Sequence, residues 1–126
     1  MPETIIRRGG CLCGAVRYTV RDEPFQSGLC HCGDCRKVTG TSFLSFADWR
    51  PDQFESSGEV RTYDGRSFCP VCGSRVFNVS PHQVEIYLGT LDDAPNAIRP
   101  AAEIWVKRRE PWLHQLDIPQ FMEDKT

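Results

Sequence analysis

Apolar side chains along this chain come in short runs in which polar residues often alternate with them, and glycine, proline and aspartate separate the runs. A period of two residues puts one face in a core and the other in water, the pattern of a half-buried β-strand. The runs are rich in β-branched and aromatic residues, which suit a pleated surface. Strands are predicted at Ala15–Val20, Ser42–Ala47, Val60–Tyr63, Ser67–Cys69, Ser74–Val79, Val84–Leu88 and Ala102–Val106. The pattern is that of an all-β domain with one or two short helices. One helix is predicted over Gly33–Thr39, closed by Gly40, since glycine suits the end of a helix. A second short turn is predicted over residues 48–54, capped by Asp48 and with Pro51 near its start. The tail beyond Ile118 ends in Glu-Asp-Lys-Thr, and its last residues are expected to fray.

The chain has 126 residues, 40% of them hydrophobic, enough for one domain (1–126, core about 5–121) with one core. Its 15 Lys and Arg against 17 Asp and Glu give a net charge of −2, so no overall basic field would hold nucleic acid. The run Lys107-Arg108-Arg109 is too short to change that. No run of about 18 apolar residues occurs, and the N-terminal Met-Pro-Glu-Thr-Ile-Ile-Arg-Arg lacks the apolar core of a signal peptide. A cytoplasmic protein with no membrane partner is expected. There the 7 cysteines, an odd number, point to metal ligation rather than to disulfides.

The cysteines fall into tight groups: Cys11-Leu12-Cys13, Cys30-His31-Cys32-Gly33-Asp34-Cys35 and Cys69-Pro70-Val71-Cys72. Short loops that present two sulfurs at once make the tetrahedral zinc site easier to assemble. Cys11 and Cys13 point the same way from an extended segment, and Cys-Pro-Val-Cys-Gly is the composition of a tight metal-binding turn. A metal on Cys11, Cys13, Cys69 and Cys72 would clip the N-terminal strand to the middle of the chain. The alternatives are buried free cysteines, or a redox dithiol at Cys69 and Cys72, but a thioredoxin-like motif needs a βαβ context.

Cys30, Cys32 and Cys35 can reach a second metal from one turn running into a helix. His31 points away if the backbone there is extended. His82 or His114 could complete a closed Cys₃His site. If neither reaches, the fourth position belongs to water or substrate, as in catalytic zinc sites, and a small thiol would bind there as thiolate. An oxidisable cluster without metal is the third possibility.

The stretch Gly9–Tyr18, the stretch Cys30–Gly40, and Phe68-Cys69-Pro70-Val71-Cys72-Gly73-Ser74 resemble the three cysteine motifs of the glutathione-dependent formaldehyde-activating enzyme family, whose domain is shared with centromere protein V. Gly89–Asp93, the tail from Ile104 to Trp112, and Ile118–Phe121 extend the likeness to nearly the whole chain. The resemblance implies a β-tent of small antiparallel sheets clipped by zinc. It implies one zinc on Cys11, Cys13, Cys69 and Cys72 and a second on Cys30, Cys32 and Cys35, which would be the catalytic residues. The implied activity is a carbon–sulfur lyase reaction, addition of glutathione or a similar thiol to formaldehyde or another small aldehyde. The alternatives of another class are a zinc-stabilised binding module and a cysteine-cluster redox or metal sensor.

Other residues take more ordinary expectations. Arg36, Lys37 and Arg66 are candidates to meet the carboxylates of a glutathione-like thiol, with solvated surface as the plainer alternative. Asp34 or His31 could move a proton, though a supporting or surface place is expected of His31. Trp49, Trp105 and Trp112 are expected in the core. Phe43 and Phe46 are core by default, and either could wall the open metal position. Asp92 and Asp93 read as a strand end and turn.

Overall fold

The computed structural model describes residues 4–125. Its strands are β1 (Ile6–Gly10), β2 (Arg17–Arg21), β3 (Gln26–Cys30), β4 (Leu44–Trp49), β5 (Phe54–Ser57), β6 (Arg61–Tyr63), β7 (Arg66–Phe68), β8 (Arg75–Val79), β9 (Val84–Tyr87) and β10 (Glu103–Ile104). One α-helix, α1 (Gly33–Thr39), lies between β3 and β4, and short 3-10 turns occupy Pro51–Gln53, Leu88–Thr90 and Val106–Arg108. The strands form a 3-stranded sheet, β1-β2-β5, and a 7-stranded sheet, β10-β3-β4-β9-β8-β7-β6. The β10–β3 pairing is parallel, an exception to the antiparallel expectation.

The large sheet is a partition. Ala47 and Trp49 of β4 face a core shared with Val16, Tyr18 and Val20 around β2 and with Phe77 and Ile86 of β8 and β9. Leu44 and Phe46 alternate to the other face, where they meet Cys30, Tyr87 and the α1 side chains Cys35 and Val38. The small sheet thus covers one side, while α1 and the middle cysteines occupy the other.

Each predicted strand overlaps an observed one, and α1 with its Gly40 cap in the left-handed conformation (φ 72) matches its prediction residue for residue. Sequence pattern missed β1, β3 and β5. Ile-Arg-Arg-Gly-Gly is a poor strand by propensity, yet Gly9 is needed there: a Cβ would sit 2.4 Å from the Thr90 carbonyl oxygen and the Tyr18 hydroxyl. The predicted turn near residue 50 forms, but Arg50 is its N-cap. Asp48 lies within β4, fully buried, and does not cap it. Trp49 is core, whereas Trp105 is half-buried and Trp112 is 66% exposed, in an irregular C-terminal segment outside the strands of both sheets. The tail is held as far as Glu123: Phe121 N–H donates to the Glu103 carbonyl at 2.9 Å and Trp105 N–H to that of Glu123 at 3.0 Å. Thr126, at its end, lies outside the described residues, as do Met1–Glu3 of the leader reading. Among the described residues no helix is long and apolar enough to cross a membrane.

Asp48 faces Glu85 across the β4–β9 pair. Burial, then the Glu85 charge, pushes its carboxyl up to about 7, against the hydrogen bond from Gln26. A carboxyl raised in the folded state favours folding while protonated, and that advantage is lost as pH rises from about 4 through about 7. Asp48→Asn keeps the shape and carries no charge. The variant is expected to gain stability over the unaltered chain between pH 5 and pH 8, with an upper bound of about 4 kcal/mol. Thermal unfolding of both proteins at each pH measures it, and a gain independent of pH would contradict it.

Candidate metal centres and the groove between them

The N-terminal pair follows β1 in the small sheet, and Cys69 and Cys72 sit between β7 and β8 of the large one. Each pair is held by a turn whose amides face sulfur. Val16 N–H donates to Cys11 Sγ at 3.2 Å, and Val71 and Cys72 N–H to Cys69 Sγ at 3.3 and 3.5 Å. Gly73 has φ 78 and donates its N–H to the Cys69 carbonyl at 2.8 Å, closing the turn in a conformation that favours glycine. The four sulfurs lie within 4.8 Å of one another, with Cys11–Cys13 at 3.6 Å and Cys13–Cys69 at 3.7 Å. Those spacings are far beyond a bonded sulfur pair. They match the edge of a tetrahedron about a zinc with Zn–S near 2.3 Å, which is about 3.8 Å. The donor set therefore fits zinc. Ser74 supports it, its hydroxyl 3.2 Å from Cys72 Sγ and accepting the Leu12 N–H at 3.1 Å.

Cys30 ends β3, Cys32 caps α1 and Cys35 lies in its first turns, and their sulfurs too lie within 4.8 Å of one another. Cys32 Sγ accepts the Cys35 N–H at 3.3 Å. The hydrogen bond from Cys35 draws the Cys30 thiol down to about 7 against its burial, and the same bond, with burial, pushes Cys35 up. The cluster favours one negative charge and resists the next, so a dication is what lets all three thiols ionise together.

Among the described residues no histidine or carboxylate atom joins the trio at that spacing. His82 and His114, which a closed site would need, are exposed and outside it. His31 is turned away from the sulfurs, as extended backbone predicts, but is buried rather than on the surface. Its Nε2 donates to Glu103 Oε1 at 2.8 Å. Burial raises the Glu103 carboxyl, but hydrogen bonds from Gln120, Leu116 N–H and His31 outweigh it and hold the group below the usual carboxylate range. With His31 N–H donating to the Ile104 carbonyl at 3.1 Å, this clamps the cysteine loop to the C-terminal segment.

A groove of about 650 Å³ lies beside the two centres, with none of the seven cysteines in its lining. Gly73 and Ser74 come to it from the four-cysteine turn, and Val38, Leu44 and Tyr87, which also pack against the trio, form the other end. Phe43 lines it, while Phe46 is core beneath the trio. The Tyr87 hydroxyl donates to Asn78 at 2.9 Å, Asn78 donates to Glu85 at 2.8 Å, and burial pushes the phenol up to about 12, so it stays protonated.

None of the basic residues singled out from sequence lines this groove. Arg36 donates to the Arg108 carbonyl at 2.9 Å and pairs with Glu110 at 3.4 Å, while Lys37 is exposed. Arg66 bridges Asp64 at 2.9 Å and the exposed Asp34 at 3.6 Å. Arg75 does line it, and sequence reasoning missed it. The available signal was its place, immediately after the Cys72-Gly73-Ser74 turn and at the start of a buried strand. Asp92 pairs with Arg17, consistent with a turn held to β2.

Fold and clusters together define a small β-sheet protein with two sulfur sites shaped for metal, one closed by four cysteines and one built from three. A family model described as glutathione-dependent formaldehyde-activating enzyme matches residues 6–108, and the chain belongs to that family. A crystal structure of a Rhodobacter sphaeroides protein shares the fold, with a TM-score of 0.50 and 20% identity over 74% of this chain and 91% of that one. No curated protein matches the chain.

Proposed function

We propose that this chain joins a small thiol, glutathione foremost, to formaldehyde or a similar aldehyde at the Cys30, Cys32 and Cys35 centre. The observation that carries this reading is the three-sulfur cluster without a fourth protein donor among the described residues, placed against a groove of ligand size. Zinc held by these cysteines would supply a Lewis acid that binds the thiol as thiolate at neutral pH.

The chain's own residues do the rest. Cys32 and Cys35 are fixed by the start of α1, and Cys30 by its place at the end of β3, so the trio keeps its shape. The His31–Glu103 clamp holds the loop that carries them. Val38, Leu44 and Tyr87 give the cluster a largely apolar wall that excludes water from one side. In the reaction the thiol S–H bond breaks, a carbon–sulfur bond forms at the aldehyde carbon, and the carbonyl π bond becomes a C–O–H group. The proton released by sulfur is the one oxygen takes up, so no oxidant or reductant is needed, and the reverse reaction is a carbon–sulfur lyase step. Cys11, Cys13, Cys69 and Cys72 serve the fold in this reading. Seven free thiols suit a reducing compartment, the cytoplasm being the proposed one.

X-ray absorption at the zinc edge tests the open site. Four and three cysteines on two zincs average about 3.5 sulfurs per metal. Glutathione is expected to raise that to about 4, and S-methylglutathione is not. A sulfur count unchanged by saturating glutathione would overturn the proposal.

A further inference from the structure

The groove is largely apolar and carries no acidic group. It offers hydroxyls from Thr39, Ser45 and Thr90, and no Asp, Glu or Lys side chain lines it. Its one charged side chain is Arg75. Among the described residues Arg75 has no ion-pair partner, unlike Arg36 and Arg66. Its guanidinium lies over the ring of Phe68, its neighbour across the β7–β8 pair, 4.6 Å from the ring centroid. Stacking orients a guanidinium while leaving its in-plane N–H donors free. A planar donor fork, held in place and uncompensated, matches a carboxylate bound through both oxygens. None of the three cysteines lines the groove, but Tyr87, Leu44 and Val38 belong both to its wall and to the cluster around the trio, so a ligand held here by its carboxylate lies beside the sulfur centre.

We propose that Arg75 is the carboxylate anchor of this groove, so that the chain takes thiols bearing a carboxylate over neutral or cationic thiols of similar length. The inference rests on the thiol reading for the sulfur end of the ligand only, since the anchor acts without sulfur. Arg75 is half-buried at the start of β8, and its replacement removes no core side chain.

The test is calorimetric binding of S-methylglutathione and of its dimethyl ester to the zinc-loaded chain and to Arg75→Gln and Arg75→Lys. S-methylglutathione is expected to bind the unaltered chain, and Arg75→Gln to weaken it by roughly 10–100-fold, the range for a hydrogen-bonded charged pair. Arg75→Lys is expected to recover part of the affinity, as a point charge without the fork. The ester should bind all three proteins about as weakly as the acid binds Arg75→Gln. Equal affinity of acid and ester for the unaltered chain, or of the acid for the unaltered chain and Arg75→Gln, would overturn the anchor. So would no binding of S-methylglutathione at all, even with glutathione changing the zinc sulfur count. Arg75-dependent binding of S-methylglutathione beside an unchanged sulfur count would sustain the anchor and sink the catalytic proposal instead.

Discussion

Cys69→Ser is expected to leave the chain unfolded at 25 °C. Cys69 is fully buried within the core between the two sheets, and its sulfur accepts two turn amides while lying 3.7 Å from Cys13, 56 residues away in sequence. A serine hydroxyl does not ionise at neutral pH and is a poor zinc ligand, so the four-cysteine centre loses its metal and the small sheet its tie to β7 and β8. Structural zinc contributes about 10–16 kcal/mol of apparent folding free energy in small peptides, as much as the whole stability of a typical domain at about 5–15 kcal/mol. Circular dichroism and amide dispersion of Cys69→Ser should resemble those of the unaltered chain in strong chelator, both without a cooperative melt. A variant melting within about 5 °C of the unaltered protein would remove the four-cysteine centre from the basis of the fold.

Cys35→Ser is expected to do the reverse, keeping the fold and ending the chemistry. Cys35 is half-buried on α1, on the outer face of the large sheet, away from the core between the sheets. The helix keeps its Gly40 cap, and the Cys32 sulfur still accepts from the residue 35 N–H, so the loss in stability should be small. With only Cys30 and Cys32 remaining, metal content should fall from two per chain to one. Loss of a mere supporting partner costs about 10–100-fold in metal affinity or activity, so loss of a ligand should cost at least the upper end of that range. Metal analysis on protein purified under reducing conditions, beside a melting curve, measures both effects. Two metals retained, or a collapse of the fold, would contradict the division of labour between the centres.

Much of this was legible because metal ligation is a local pattern. Cysteine spacings, the Cys-Pro-Val-Cys-Gly turn and the Gly33–Thr39 helix with its glycine cap all depend on neighbours a few residues away. What escaped depends on distant segments. Gly28 in β3 looks like a strand breaker until the Ala102 carbonyl is found 2.8 Å from where its Cβ would be, the close approach that the parallel β10 pairing requires. His31 and Glu103 form a buried pair across 72 residues, a contact that alternation cannot show. Trp112 has the composition of a core residue, but only the irregular path of the C-terminal segment decides that it stays outside. Arg36, Lys37 and Arg66 were attractive for their nearness in sequence to the cysteines or their charge. Arg75 needed the sheet register to bring it over Phe68 and into the groove.

The most direct test of thiol–aldehyde chemistry at the three-cysteine centre is the rate at which carbon-13 formaldehyde exchanges with its glutathione adduct, followed by NMR at about pH 6. A free thiol with pKa near 8.5 is scarcely ionised there, so the uncatalysed exchange is slow while a metal-held thiolate persists. The zinc-loaded chain is expected to accelerate exchange well above the protein-free rate, and Cys35→Ser to return it to that rate. An unaltered chain no faster than buffer, or a Cys35→Ser variant as fast as the unaltered chain, would contradict catalysis at Cys30, Cys32 and Cys35.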